Sequence, residues 1–327
     1  MPQPTYQMYH VDAMLTNISI AYMQSDSVFI ASKVFPIVPV VKQSDRYFKY
    51  LKEDWFRDEA ELRAPATESA GGGYEIDNTP TYFCQKYAYH KDVTEEDRVN
   101  TDEPLNADRD ASEFVASKLM LAREVIWQST YMKIGIWGKD WAGAASGNGS
   151  TTLTYWNASD STPIEDVHGA QVLMQSTTSF KPNILVITPW VYNALRDNKD
   201  IMDKIKWTQK GIVTLDLIAS LFDVEQILVA QAVVNVAAKG AAESTDFMYG
   251  KDALLLYVPA RPGLKTPSAG YIFAWSGMLG AGAFGTRIIR IPVPLKGNGT
   301  ERIEGEMAFD MKVVSSDLGT FFHDIVQ

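Results

Sequence analysis

The chain has 327 residues, 46 % hydrophobic and 21 % charged, with a formal net charge of −10. That length allows about two domains with an ample core, and the acidic balance, with no lysine–arginine cluster interleaved with aromatics, excludes a phosphate-gripping surface. The single cysteine, Cys84, excludes a disulfide framework and a thiolate zinc site.

No basic segment followed by an apolar run opens the chain, and the longest apolar stretches are strand length, so neither a secretory signal nor a membrane span is expected. Residues 1–35 have scattered apolar positions without strong periodicity. Phe35-Pro36-Ile37-Val38-Pro39-Val40 is extended, and its two prolines limit sheet pairing.

Residues 42–92 read as one long antiparallel hairpin. Arms of roughly fifteen residues rising about 3.3 Å each project on the order of 50 Å. A ribbon alone in water is marginal, yet the arms carry Tyr47, Phe48, Tyr50, Trp55, Phe56, Tyr82, Phe83, Tyr87 and Tyr89, too aromatic for a disordered linker. Such a ribbon needs another surface, and another copy of the chain is the expected donor. Its tip carries Glu53, Asp54, Asp58, Glu59, Glu61 and Glu68 against Arg57 and Arg63, a net of −4, and is closed by Gly71-Gly72-Gly73. Rim charges of this kind tune specificity and association rate.

Thr94-Glu95-Glu96-Asp97 resembles a capping box that opens a short helix ended by Pro104. A long helix is predicted from Asn106 or Asp108 to Trp137. Val115, Leu119, Ala122 and Ile126, widened by Phe114, Leu121 and Val125, form its apolar stripe; Glu113, Ser117, Glu124 and Gln128 mark the wet face. Gly135 to Ser161 is a loop or boundary by composition. Thr162-Pro163, Thr188-Pro189 and Thr214 then open helices between buried strands at 183–187, 226–234, 253–258 and 271–275, a sheet flanked by helices. Residues 286–294 and 301–314 are strands joined across Gly297-Asn298-Gly299.

No catalytic, cofactor-binding or metal-ligating residue is expected. Gly280-Ala281-Gly282-Ala283-Phe284-Gly285 matches the dinucleotide fingerprint by letter, but the segment after it alternates like a strand where pyrophosphate needs a helix N-terminus. His10, His90, His168 and His323 are scattered, without paired-ligand spacing. Glu165-Asp166 complements the dipole of the helix after Pro163. Cys84 sits in a hairpin arm without a positioned histidine.

The element order, with the phrases Asn183-Ile184-Leu185-Val186-Ile187-Thr188-Pro189, Gly250-Lys251-Asp252-Ala253-Leu254-Leu255-Leu256-Tyr257 and Phe309-Asp310-Met311-Lys312-Val313-Val314, resembles the major capsid proteins of tailed bacteriophages, the Hong Kong 97-type fold. The resemblance spans nearly the whole chain. It implies an α+β subunit: N-terminal arm 1–41, extended hairpin (E-loop) 42–92, peripheral domain 93–165 with spine helix 106–137, axial domain 166–285, and return strands 286–327. It further implies a non-enzymatic protein forming hexamers and pentamers of an icosahedral shell around packaged double-stranded DNA, located in the virion and assembled in the host bacterial cytoplasm. On this reading Arg57, Asp58, Glu59, Glu61, Arg63 and Glu68 make inter-subunit contacts. The implied partners are itself, a separate scaffolding protein, a portal and decoration proteins, with DNA enclosed without sequence-specific binding. Some members cross-link through a lysine at the hairpin tip; no lysine lies between Glu53 and Gln85, so noncovalent contacts are expected. An encapsulin-like bacterial nanocompartment is the alternative within the fold, and a soluble hydrolase with an inserted arm the alternative outside it.

Overall fold

The computed structural model describes residues 24–101, 105–147, 151–206, 213–263, 265–279, 286–297 and 299–327. Most of the N-terminal arm (1–23), Pro104, Asn298 and the 280–285 fingerprint match lie outside them. In chain order, α1 (Ala31–Val34) leads into β1 (Ile37–Val40), then β2 (Ser44–Arg46), β3 (Lys49–Tyr50), α2 (Lys52–Trp55), β4 (Ile76–Asp77) and β5 (Thr81–Phe83). Next come β6 (Gln85–Val93), α3 (Glu95–Val99), α4 (Ala107–Tyr131), β7 (Lys139–Ala144) and β8 (Thr152–Thr154). The chain continues through α5 (Pro163–Thr178), β9 (Ile184–Ile187), α6 (Pro189–Asp197), α7 (Lys199–Ile205), α8 (Leu215–Leu221) and β10 (Gln226–Val229). It closes with β11 (Val233–Asn235), β12 (Thr245–Phe247), β13 (Ala253–Leu256), β14 (Gly270–Trp275), α9 (Ser276–Leu279), β15 (Thr286–Pro292), β16 (Glu301–Val313) and β17 (Gly319–His323).

The helix starts follow from their caps. Thr94 and Asp97 exchange the two hydrogen bonds of a capping box. The side chain of Asn106 accepts from Arg109 N, and that of Thr188 from Val191 N. Helix α4 has 25 residues, about 37 Å at 1.5 Å per residue. It stops six residues before the expected end at Trp137. Gly135, at φ +84°, turns the chain so that the Trp137 indole folds back and donates to Tyr131 O at 2.9 Å.

The stripe also differs from its pattern. Ala111, Val115, Leu119, Trp127 and Tyr131 are buried, whereas Phe114 and Val125 are exposed. Glu124, expected on the wet face, is wholly buried.

Two sheets organise the molecule. The outer sheet runs β1-β14-β16-β15, with β6 on the other side of β16. The inner sheet runs β10-β9-β13-β17-β7-β8. Pro39 is tolerated in β1 because that strand lies at a sheet edge. Sequence grouping placed β7, β8 and β17 outside the inner sheet and β14 within it; strand pairing reverses each placement. In the inner strands Leu185, Ile187, Leu255 and Phe322 face one core with α5 to α8, while Val186, Leu254, Leu256 and Phe321 face a second core with α1 and α4.

Helix α4 lies on β16 at Gly305, where an added Cβ would sit 2.5 Å from Val115 Cγ1 and 2.6 Å from Leu119 Cδ1. A Gly305→Val substitution is expected to lift α4 off the sheet and cost about 1–3 kcal/mol by overpacking, read as a lower midpoint in urea. An unchanged midpoint would mean this contact yields freely.

Candidate assembly surface

The 42–92 hairpin is real but shorter than its sequence suggests. Its ladder comprises β2 with β5 (Ser44↔Phe83 to Arg46↔Thr81) and β3 with β4 (Lys49↔Asp77, Tyr50↔Ile76). Residues 85–93 leave it and pair along β16, from Phe309↔Gln85 to Glu301↔Val93. Several aromatics thus find partners in their own chain: Tyr82 stacks on Phe273 at 4.7 Å and Tyr87 on Phe309 at 5.2 Å. Cys84 is buried there; desolvation pushes its thiol up to about 11, which leaves it a core side chain at neutral pH.

Beyond the ladder, the need for a foreign surface persists. Phe48, Trp55, Phe56, Tyr74, Ile76 and Phe83 are exposed, and Leu62 at the tip is 102 % exposed. All six tip residues expected to make contacts, Arg57, Asp58, Glu59, Glu61, Arg63 and Glu68, are exposed. Arg57 pairs with Glu59 at 3.4 Å, and Arg63 Nε donates to Thr67 O at 2.6 Å. The first arm of the hairpin, from Arg46 to Phe56, and the body line an apolar groove of about 1090 Å³.

The base is held rigidly. Asp92 bridges Arg302 and Lys296, and its hydrogen bond from Arg302 holds it down at about 2. The 4 %-exposed carboxyl of Glu306 lies between Lys86 and Arg287, which hold it below its ordinary value despite burial. On the inner side of the arm, Glu124 of α4 accepts from Ile30 N at 2.9 Å, Ala31 N at 3.0 Å and the Tyr249 hydroxyl. Nothing in the helical pattern signals this anchor.

The residues weighed for chemistry are placed otherwise. Asp252, His323 and Asp324, distant in sequence, come within 4.8 Å of one another. Asp252 Oδ1 accepts from Asp324 N at 2.9 Å, and the His323 ring stacks on Phe321. His168 Nε2 is buried and has no hydrogen-bond partner among the described residues.

Asp166 does more than complement a helix dipole. Burial pushes it up to about 6, with Glu165 and Asp200 adding repulsion and the Trp156 indole opposing. A raised carboxyl contributes stability fully present below its unfolded value near 3.8 and lost as pH rises through about 6. Asp166→Asn, which keeps an acceptor for Trp156, is expected to stabilise the fold by about 1–2 kcal/mol at pH 7.5 and little at pH 4, seen in thermal melts. Equal gains at both pH values would refute the titration account.

No family model matches the chain. It is 26 % identical over 323 residues to a major capsid protein of Pseudomonas phage JBD67, covering 97 % of this chain and 98 % of that one. It is also 26 % identical over 273 residues to a major capsid protein of Burkholderia phage BcepMu, covering 80 % and 82 %. Among solved structures, a phage-related protein from Bordetella bronchiseptica RB50 superposes with a TM-score of 0.69 at 18 % identity, over 92 % of this chain and 94 % of that one. The capsid of cyanophage P-SCSP1u superposes with a TM-score of 0.58 at 9 % identity over 98 % and 94 %. The SrpI encapsulin of Synechococcus elongatus PCC 7942 gives 0.53 at 11 % over 100 % and 97 %.

Proposed function

We propose that this chain, which has the Hong Kong 97-type capsid fold, is the major capsid protein of a tailed phage. It self-assembles into hexamers and pentamers of an icosahedral shell that encloses packaged double-stranded DNA. The carrying observation is the hairpin tip, which holds Leu62 and the flanking acids away from their own core. Such a segment is stabilised only by a neighbour, and contacts repeated by rotation close a shell. The tip residues Arg57, Asp58, Glu59, Glu61, Arg63 and Glu68 make that contact. The role is structural, and the subunit belongs to the virion.

Assembly in the host bacterial cytoplasm, with a separate scaffolding protein, a portal and decoration proteins, completes this reading. Negative-stain microscopy of purified protein tests it: closed shells support it, and a monodisperse monomer at high concentration overturns it. The encapsulin-like reading shares the fold; neighbouring terminase and portal genes mean phage, and a cargo-enzyme gene means compartment. The two curated relatives favour phage.

The DNA is confined and not gripped. With net charge −10, the isolated subunit is expected to bind duplex DNA no tighter than roughly 10⁻⁴ M at physiological salt, because counterion release needs several cations converging on phosphates. Fluorescence anisotropy checks this; micromolar binding with a steep salt slope would contradict it.

A further inference from the structure

We propose that Asp252, His323 and Asp324 form a binding site for one divalent transition-metal ion of the zinc class, which clamps the C-terminal strand to the inner sheet. Such a clamp acts within one subunit and needs no shell.

The backbone sets the three groups together. Strands β13 and β17 pair antiparallel with Ala253 opposite Phe322, so the same register places Asp252 opposite His323. Residues directly opposite in such a pair have Cβ atoms about 4.5–5.5 Å apart. The chain turns after β17 through Asp324, at φ +48°, whose N–H donates to Asp252 Oδ1 at 2.9 Å, and Ile325 N donates to Lys251 O at 3.0 Å. Stacking on Phe321 orients the His323 ring. One ligand atom from each of the three residues then lies within 4.8 Å of the others. No motif spacing announces the trio, because Asp252 precedes Asp324 by 72 residues.

This is not an ordinary acidic patch. His323 Nδ1 and Asp324 Oδ2 are 3.3 Å apart, beyond the usual N–H···O range of about 2.7–3.2 Å. The separation matches the roughly 3.3–3.5 Å between ligands that sit about 2.0–2.1 Å from a tetrahedral metal. Asp252 and Asp324 form no ion pair with a lysine or arginine among the described residues, and Asp252 is half-buried. A carboxylate withdrawn from water is stabilised by a paired cation or a metal. Imidazole with two carboxylates selects zinc and its neighbours over magnesium and calcium, which take oxygen ligands. Three protein ligands leave the fourth tetrahedral position to water, on the side where Asp324 is exposed. Bound there, the ion neutralises two adjacent acids and ties β17 to β13. Ile325 and Val326, just beyond it, are buried in the core with α5 to α8.

Zinc titration of the full-length protein, after EDTA treatment and dialysis, tests the site. Calorimetry should show one zinc per chain. Thermal melts should show a midpoint raised by zinc and left unchanged by magnesium or calcium. His323→Gln and Asp324→Asn should each weaken zinc binding by more than about tenfold and abolish the thermal shift. Asp252→Asn should do the same while keeping an acceptor for Asp324 N. Circular dichroism confirms that each variant folds, and the exposed Asp324 supplies a variant that leaves the core untouched if Asp252→Asn does not. Cobalt in place of zinc should give the visible absorption of a tetrahedral ion in the parent and lose it in His323→Gln. No stoichiometric zinc binding by the parent would overturn the proposal. So would parental affinity in His323→Gln and Asp324→Asn, which would place the ion at another histidine. Equal thermal shifts from magnesium would refute a transition-metal site.

Discussion

A subunit lacking residues 54–73 is expected to fold normally and to form no shells of regular size. The residues removed are almost all exposed, and none belongs to the two main cores. The cut ends are already neighbours, since Glu75 N donates to Asp54 Oδ2 at 2.8 Å and β3 pairs with β4 just inside them. The local loss is a ring cluster, Trp55 at 6.0 Å from Tyr50 and 5.8 Å from Tyr74, costing about 1 kcal/mol. The assembly loss is far larger. Each subunit would lose the contact twice, as giver and as receiver, and every 1.4 kcal/mol or so is tenfold in association. Far-UV circular dichroism and size exclusion should show a folded, unassembled product. Global unfolding would place the tip in the subunit's own core, and normal shells would make it dispensable.

What the sequence disclosed and what it hid divide along sequence distance. Capping residues such as Thr94 and Asn106 act within one helical turn, and the buried runs at 184–187 and 253–256 carry their own burial signal. Both were legible. The length of the hairpin was not, because Gln85–Val93 alternates as well for a ribbon as for the β16 ladder more than 200 residues away, and the latter buries more. Strand β7, with Gly143 within a Gly- and Ala-rich run, reads as a loop until β17 offers it a parallel partner. The tip was visible as a charge cluster. The groove against the body was not, since its walls come from segments spread between Val38 and Leu318.

Glu124 shows the same limit most sharply, and its replacement carries the largest expected cost to the fold. At its place in α4 a carboxyl looks like solvent-face filling, but the burial rhythm shifts from Leu119 to Glu124 and Trp127 as α1 crosses the helix. Glu124 thereby meets two backbone N–H groups at the start of α1 and the hydroxyl of Tyr249, whose proton burial and this carboxylate hold well above the usual range. Ile30, Ala31, Tyr249 and Glu124 are all at most 1 % exposed, so water cannot replace the lost acceptor. Each orphaned buried donor costs about 1–3 kcal/mol, which makes Glu124→Ala destabilising by roughly 3–5 kcal/mol after partial relaxation. Glu124→Gln keeps one acceptor oxygen but turns an NH₂ toward a donor, and should lose about half as much. Urea titration measures both, and limited proteolysis should report new cleavage between residues 24 and 36 as α1 detaches before the rest melts. An alanine variant within about 0.5 kcal/mol of the parent would show that the arm is held by Phe29, Val34 and Phe35 packing alone.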